Sequence, residues 1–288
     1  SQVRTLRCWQ AIDDGHCIAC AAASAAVADV DRKPTEKIVA GISRCIAVTV
    51  RACHNLVSWR KCRRIGWAGQ CARADRVNSG ARWQDFQLFC PACRTLLAKR
   101  HETLGCSGCH RQYPVLFGIP DLRLGPDRYL SLEDERAKAA KLQLFGQSSS
   151  FDELLNYYSS ITDDVAPVLA TTFTAAIHAS PARAVQLLAR LDQPSEDSVL
   201  VDLGCGAGGT LMEAAKCFPK CVGVDIGLRW LVIAQKSFAE ARLPVALVCA
   251  DVETIPFADG SFSHVLAENL LDHVHAPLTT TARATALV

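Results

Sequence analysis

Two pairs of cysteines stand apart by their spacing. Cys90-Pro-Ala-Cys93 and Cys106-Ser-Gly-Cys109 are separated by twelve residues. Each Cys-x-x-Cys turn offers two sulfurs from one tight loop, and four thiolates in a tetrahedron suit a zinc ion. The intervening stretch is long enough for a hairpin that brings the pairs together, and Gly105 and Gly108 ease the second turn. Four protein ligands leave no open coordination position, so the ion expected here is structural. Cys17-Ile-Ala-Cys20, with His16 and Cys8 nearby, repeats the local spacing. It lacks a second pair at a matching distance, and an extension without a metal is the plainer reading.

A second constellation runs Val199-Leu-Val-Asp202-Leu-Gly204-Cys205-Gly206-Ala-Gly208-Gly209. An apolar strand leads into a glycine turn and then a helix. Glycines let the backbone bend tightly and approach a ligand, and the helix start adds free N–H donors. Asp225 ends the next apolar run, where a carboxylate can take two ribose hydroxyls. Asp251 ends a third run, and Ile255–Phe262 leads into a fourth. Gly204, Gly206 and Gly209 also meet the dinucleotide pattern GxGxxG, so the glycines alone do not choose a cofactor. Asp202 does, because a carboxylate before the first glycine suits a cationic amine better than a pyrophosphate.

The elements that must carry these groups follow from pattern. Val199–Asp202, Cys221–Asp225, Val245–Ala250 and Phe262–Ala267 read as buried strands, alternating with helices over Gly208–Phe218 and Gly227–Arg242. The fourth strand is expected to run into a helix through Leu270 and Leu271. Such alternation implies an α/β fold with a parallel sheet covered on both faces. Upstream, Ser131-Leu-Glu-Asp134 and Ser150-Phe-Asp-Glu153 each cap a helix, and Ser180-Pro181 is the expected start of a third. The chain therefore divides into 1–85, unassigned and expected to be poorly ordered; 86–124, a small β zinc ribbon; 125–196, a helical linker or cover; and 197–288, a cofactor-binding domain.

Composition bounds what these parts can do. The 288 residues are 50% hydrophobic and 21% charged, enough for real cores and against a disordered chain. Net charge is only +2, which disfavours a bulk nucleic-acid binder. Lys99, Arg100, His101 and Arg111 leave contact with phosphates open without favouring it. No run of eighteen uncharged apolar residues marks a membrane span, and Asp13 and Asp14 sit where a secretory leader would be basic. The expected compartment is a reducing cytoplasm, in which paired cysteines read as metal ligands first.

Tyr113-Pro-Val-Leu-Phe-Gly-Ile-Pro-Asp121, after the second cysteine pair, resembles the small zinc-ribbon protein that activates tRNA and rRNA methyltransferases. It also resembles the same module fused ahead of bacterial methyltransferases. That resemblance covers about Phe89 to Leu122 and implies a ribbon that packs on a methyltransferase and stabilises it. "VDLGCGAGG", "VGVDIG", "ADVETIPFADGSF" and "VLAENLLDHV" resemble, in order, the motifs of class I S-adenosylmethionine-dependent methyltransferases. The similarity is greatest to the branch with the ubiquinone and menaquinone methyltransferases. It implies a Rossmann-like sheet and S-adenosyl-L-methionine as cofactor.

Carried onto this sequence, the resemblance places Asp202, Gly204, Cys205 and Gly206 at the methionine end of the cofactor. Asp225 would take the ribose hydroxyls, with Ile226 against the adenine. Asp251 would accept from the adenine amino group, and the Val252 N–H would meet a ring nitrogen. Glu268 and Asn269 would face the sulfonium. Methyl transfer needs mainly alignment of the acceptor; where it needs a base, His273 and Asp272 are the candidates, with His275 behind them. Tyr157 and Tyr158 are candidates to close over the pocket or to pack in the core.

The family continues beyond the fourth strand with three more strands, whereas here the chain runs from Ala276 to Val288. The expectation is a C-terminally truncated copy with strand order 3-2-1-4, whose fourth strand is an open edge available for self-association. Three functions compete on the sequence alone. They are methyl transfer to a small-molecule acceptor, a non-catalytic module that docks on another methyltransferase, and an RNA methyltransferase.

Overall fold

The computed structural model describes residues 46–48 by their backbone, and residues 81–162 and 167–288. The tentative Cys8, His16, Cys17 and Cys20 metal reading lies outside the described residues, as does most of 1–85.

A four-stranded antiparallel sheet forms the ribbon, in order β2 (Leu97–Arg100), β3 (Thr103–Cys106), β4 (Gln112–Leu116) and β5 (Ile119–Pro120). Its footing starts upstream of the expected boundary. Ala81 and Trp83 are buried, and the Trp83 indole donates to Gly118 O at 2.8 Å.

Three helices follow, α1 (Leu132–Gly146), α2 (Phe151–Ser160) and α3 (Pro167–Leu188). Ser131 accepts from Asp134 N at 3.0 Å and Ser150 shares a full capping box with Glu153, so both starts lie where the capping residues put them. The third start does not. Pro181 lies inside α3, because the helix continues through the Ser180-Pro181 step. Proline cannot donate to Ile177 O, and the Ser180 hydroxyl does so instead at 3.1 Å, which removes much of the penalty.

The second sheet holds β6 (Val199–Leu203), β7 (Lys220–Asp225), β8 (Ala246–Cys249) and β9 (His264–Ala267) in the order β8-β7-β6-β9, all parallel. Helices α4 (Gly209–Ala214) and α5 (Leu228–Ala241) are the crossovers. The order agrees with 3-2-1-4, but β9 is not the edge strand. β1 (Ile46–Val48) pairs antiparallel with β9, register Ile46↔Ala267 to Val48↔Val265, and occupies the backbone groups that were to invite another chain. Nor does β9 lead into a helix through Leu270 and Leu271. Asn269 is left-handed at φ 52° and turns follow, so the last helix, α6 (Pro277–Ala286), waits for Pro277 at its first turn.

The sheet is buried on both faces, as its continuous apolar strands require. One face packs against α1 to α5, through Leu142, Leu155, Leu188, Leu211 and Phe238. The other packs against the ribbon, the Phe257–Phe262 pair and the end of α6 in one continuous apolar cluster. The ribbon also caps the β8 edge, where Asp121 bridges to Cys249 and Leu122 N donates to Cys249 O at 2.7 Å.

Buried ions lock these layers. Asp121 takes Arg123 at 2.7 Å and Arg136 at 2.8 Å, and Arg123 reaches Ile226 O at 3.2 Å. Those guanidinium groups hold the Asp121 carboxyl below its usual range against its own burial. On α1, the fully buried Glu135 accepts from Arg229 N at 2.8 Å and ion-pairs with the Arg229 side chain, tying the cover helix to α5. Among the described residues no helix is long and apolar enough to cross a membrane.

Candidate functional site

The four ribbon cysteines meet at one point. Their sulfurs lie within 4.8 Å of one another, with Cys90–Cys109 at 3.5 Å and Cys93–Cys106 at 3.3 Å. A tetrahedral zinc with bonds of about 2.3 Å needs sulfurs about 3.8 Å apart. The two turns are built alike. Arg94 N donates to Cys90 O at 2.8 Å and His110 N to Cys106 O at 3.0 Å, and both residues are left-handed. Gly108 is required by close approach, since a Cβ there would lie 2.4 Å from Thr95 Oγ1. Hydrogen bonding with Thr95 pulls the Cys93 thiol down to about 6, toward the thiolate that metal binding needs. Tyr113 Oη lies 3.2 Å from Cys90 Sγ and closes the buried side.

The second site is a crevice of about 250 Å³ at the carboxyl ends of β6 and β9. Its floor is the glycine turn, with Gly204, Gly206 and Gly208 at φ 73°, 52° and 80°. A Cβ on Gly204 would lie 2.8 Å from Leu270, whereas one on Gly206 would meet nothing within 4 Å. Gly206 is thus bare backbone facing open space, and its N–H donates to Asp225 Oδ2 at 2.8 Å. Asp225 Oδ1 accepts from Gly227 N at 2.7 Å, so this carboxylate fastens the turn to the end of β7. Burial pushes its pKa up, against those two donors.

Asp202 and Glu268 make the crevice acidic. Burial, with Glu268 and Asp225 nearby, raises the Asp202 carboxyl to about 8. Glu268 Oε2 accepts from the Thr210 hydroxyl at 3.2 Å. The facing wall is α3, which presents Phe173, Ile177, Ser180 and Arg183, with Trp230 of α5 alongside. Phe173, Ile177 and Trp230 also line a narrow apolar slot running back to Leu155 and Tyr158. Tyr158 and Trp230 sit with ring centroids 4.7 Å apart.

Of the expected site residues, Asp202, Gly204, Cys205, Gly206 and Glu268 line the crevice, and Asp225 fastens its floor. Ile226, Asp251 and Val252 lie further along the strand ends and are not among the lining residues. Ile226 is held by Arg123, and Asp251 Oδ1 caps the turn Val252–Thr254 by accepting from Glu253 N at 2.8 Å. His273 and Asp272 lie 3.7 Å apart on an exposed turn outside the crevice lining. His275 is exposed beside Glu253 at 3.3 Å. Sequence reasoning missed the α3 wall and Trp230, which only the folded cover brings to the glycine turn. Cys205, Cys221 and Cys249 are free and buried, but Cys217 is half-buried and disulfide-bonded.

Residues 200–287 match the family model described as a methyltransferase domain. The uncharacterized methyltransferase YodH of Bacillus subtilis is 36% identical over 78 residues, covering 27% of this chain and 34% of that protein. Ajmaline N-methyltransferase of Rauvolfia serpentina is 33% identical over 78 residues, covering 26% of this chain and 27% of that protein. Among solved structures, phosphoethanolamine N-methyltransferase 2 of Haemonchus contortus is similar at 23% identity and a TM-score of 0.34, over 37% of this chain and 25% of that one. The chain spans about a third or less of the length of these curated relatives. Residues 200–287 thus match a methyltransferase domain and carry the parallel sheet order of a Rossmann-like fold.

Proposed function

We propose that the chain binds S-adenosyl-L-methionine in the crevice and transfers its methyl group to a small-molecule acceptor, with a zinc ion holding the ribbon. The observation that carries the reading is the pair Asp202 and Glu268 beside a bare glycine turn, within a segment matching a methyltransferase domain. A crevice in which burial and two neighbouring carboxylates push the Asp202 carboxyl up is suited to receive a cation.

The residues present fit that cofactor. Asp202 and Glu268 offer negative charge to the amine and the sulfonium, and Arg183 on the facing wall offers positive charge to the carboxylate. Gly206 lets the ligand lie against backbone. Asp225, already engaged on one lone pair of each oxygen, keeps the others for ribose hydroxyls. Ile226, Asp251 and Val252 would meet the adenine where the strand ends continue. When bound, the cofactor supplies an activated methyl on a cationic sulfur, so the protein's task is to position an acceptor and exclude water. Phe173, Ile177 and Trp230 give the crevice an apolar side, which favours an acceptor with apolar or aromatic surface. Ajmaline N-methyltransferase, named for a small-molecule acceptor, supports the same class. His273 and Asp272 remain candidates for a base supplied from the exposed turn when an acceptor is in place.

For the ribbon, Cys90, Cys93, Cys106 and Cys109 would hold the zinc, and four thiolates leave it no catalytic position. The test is a calorimetric titration of the zinc-loaded chain with S-adenosylhomocysteine, with D225A alongside. Saturable binding that weakens in the variant is the expected result. A folded wild-type chain that takes up no S-adenosylhomocysteine would overturn the reading.

A further inference from the structure

The first cysteine knuckle reaches beyond the ribbon. Arg94 follows Cys93 directly, and its left-handed backbone, φ 63°, is fixed by the bond from its N–H to Cys90 O. That pose sends the guanidinium across the interface. Nη2 donates to Phe257 O at 2.6 Å and Nη1 donates to Ile255 O. Just before the knuckle, Phe89 N donates to Pro256 O at 2.8 Å. Three consecutive carbonyls, those of Ile255, Pro256 and Phe257, are therefore held from the knuckle. They belong to the segment leaving the turn Val252–Thr254, which Asp251 caps. Its far side is held as well, since Glu253 accepts from Ala276 N at 2.6 Å.

We propose that Arg94 is a positioning residue for cofactor binding, so that metal in the ribbon and cofactor in the crevice tighten one another. This rests on the cofactor and zinc readings above. The metal-held knuckle fixes the backbone of Arg94, Arg94 fixes the 255–257 carbonyls, and those fix the turn that would meet the adenine. Arginine suits the task because one planar fork serves two carbonyls that a single ammonium cannot reach together. Without the guanidinium, part-buried carbonyls lose a charged donor and the segment relaxes toward water. Coupling between two binding sites is reciprocal, so a metal that tightens cofactor binding must itself be held more tightly when cofactor is bound.

The test uses the full zinc-loaded chain, R94A and R94K, with S-adenosylhomocysteine as ligand. R94A should keep its zinc stoichiometry while its affinity for S-adenosylhomocysteine falls roughly tenfold or more; R94K should recover part of the loss. Saturating S-adenosylhomocysteine should slow zinc transfer to a chelator from the wild-type chain but not from R94A. The wild-type half of that measurement needs no variant to fold. Equal affinity in R94A, or zinc release indifferent to S-adenosylhomocysteine, would overturn the coupling and leave the cofactor reading standing. No binding to the wild-type chain would remove both.

Discussion

The backbone N–H of Gly206 donates to Asp225 Oδ2 at 2.8 Å, joining the glycine turn after β6 to the end of β7. The other oxygen holds Gly227 N, so both bonds need an acceptor. Asn at this position would point an amide N–H₂ at one of two donors. D225N should therefore disturb the turn nearly as much as D225A does. A lost hydrogen bond to a charged group is worth about 1.5–3 kcal/mol, so affinity for S-adenosylhomocysteine should drop roughly tenfold to a hundredfold in either variant. Calorimetric titration of both variants checks this, and an Asn variant binding like wild type would refute the two-donor argument.

Asp202 sets a pH signature. Its pKa is raised from an ordinary carboxylate value to about 8, chiefly by burial. A raised carboxyl contributes stability that is present at low pH and is lost as pH climbs toward 8. The empty chain should thus lose stability across the range between that ordinary value and 8, and D202N should flatten the loss. An incoming amine reverses the balance by favouring the carboxylate, so S-adenosylhomocysteine binding near pH 7 should release a proton. Titrations in buffers of different ionisation enthalpy measure it; the release should vanish in D202N.

How much of this was visible in the amino-acid string depended on whether the cause was local. Ser131 and Ser150 announce their helices because a cap and its partner sit three residues apart. β6 to β9 are legible because burial on both faces demands unbroken apolar runs. The cysteine pairs and the glycine turn carry their chemistry in their spacing. β1 was illegible, being three residues whose partner lies at the far end of the chain. Arg94 looks like any surface arginine until the ribbon is laid against Ile255 and Phe257. Ser180-Pro181 misled for a physical reason, because the Ser180 hydroxyl supplies the very donor that proline lacks.

The Arg229–Glu135 contact should be costly to break from one side. Glu135 is fully buried and accepts from both the backbone and the side chain of Arg229, while Asp127 lies 3.2 Å from the same guanidinium. Removing one partner of a buried pair strands the other, at a cost of about 3–5 kcal/mol. E135A should lose stability on that scale in denaturant unfolding. A loss no larger than that of an exposed ion pair would show that Asp127 alone suffices.

In the ribbon, C90S or C106S should strip the metal and destabilise the Phe89–Leu122 segment. In the proposed zinc site four thiolates would share one ion, and one hydroxyl among them is a poor ligand. G108A reaches the same end by another route, because its Cβ would press on Thr95 Oγ1 at 2.4 Å and on Cys93 Sγ at 3.3 Å. Metal analysis after gel filtration should find zinc lost from both cysteine variants and reduced in G108A. Full occupancy in C106S would refute the four-cysteine assignment.

The cover helix and the glycine turn touch where both lack bulk, at Gly209 and Ser180. A Cβ on Gly209 would lie 1.6 Å from Ser180 Oγ and 2.5 Å from its Cβ, a clash that only movement of α3 away from α4 can relieve. G209A should cost about 1–3 kcal/mol of stability, as overpacked positions do. Because α3 also carries Phe173, Ile177 and Arg183 into the crevice, the variant should weaken S-adenosylhomocysteine binding without touching any group that holds it. S180G clears both clashing atoms, leaving the Ser180 carbonyl carbon at 3.5 Å as the nearest neighbour. The double variant G209A/S180G should therefore regain affinity lost by G209A, even though S180G alone removes the donor that serves Ile177 O. A double-mutant cycle in binding free energy then reports the contact directly. A positive coupling places the wall formed by α3 in the binding site, whereas strictly additive losses would mean that the crevice works without it.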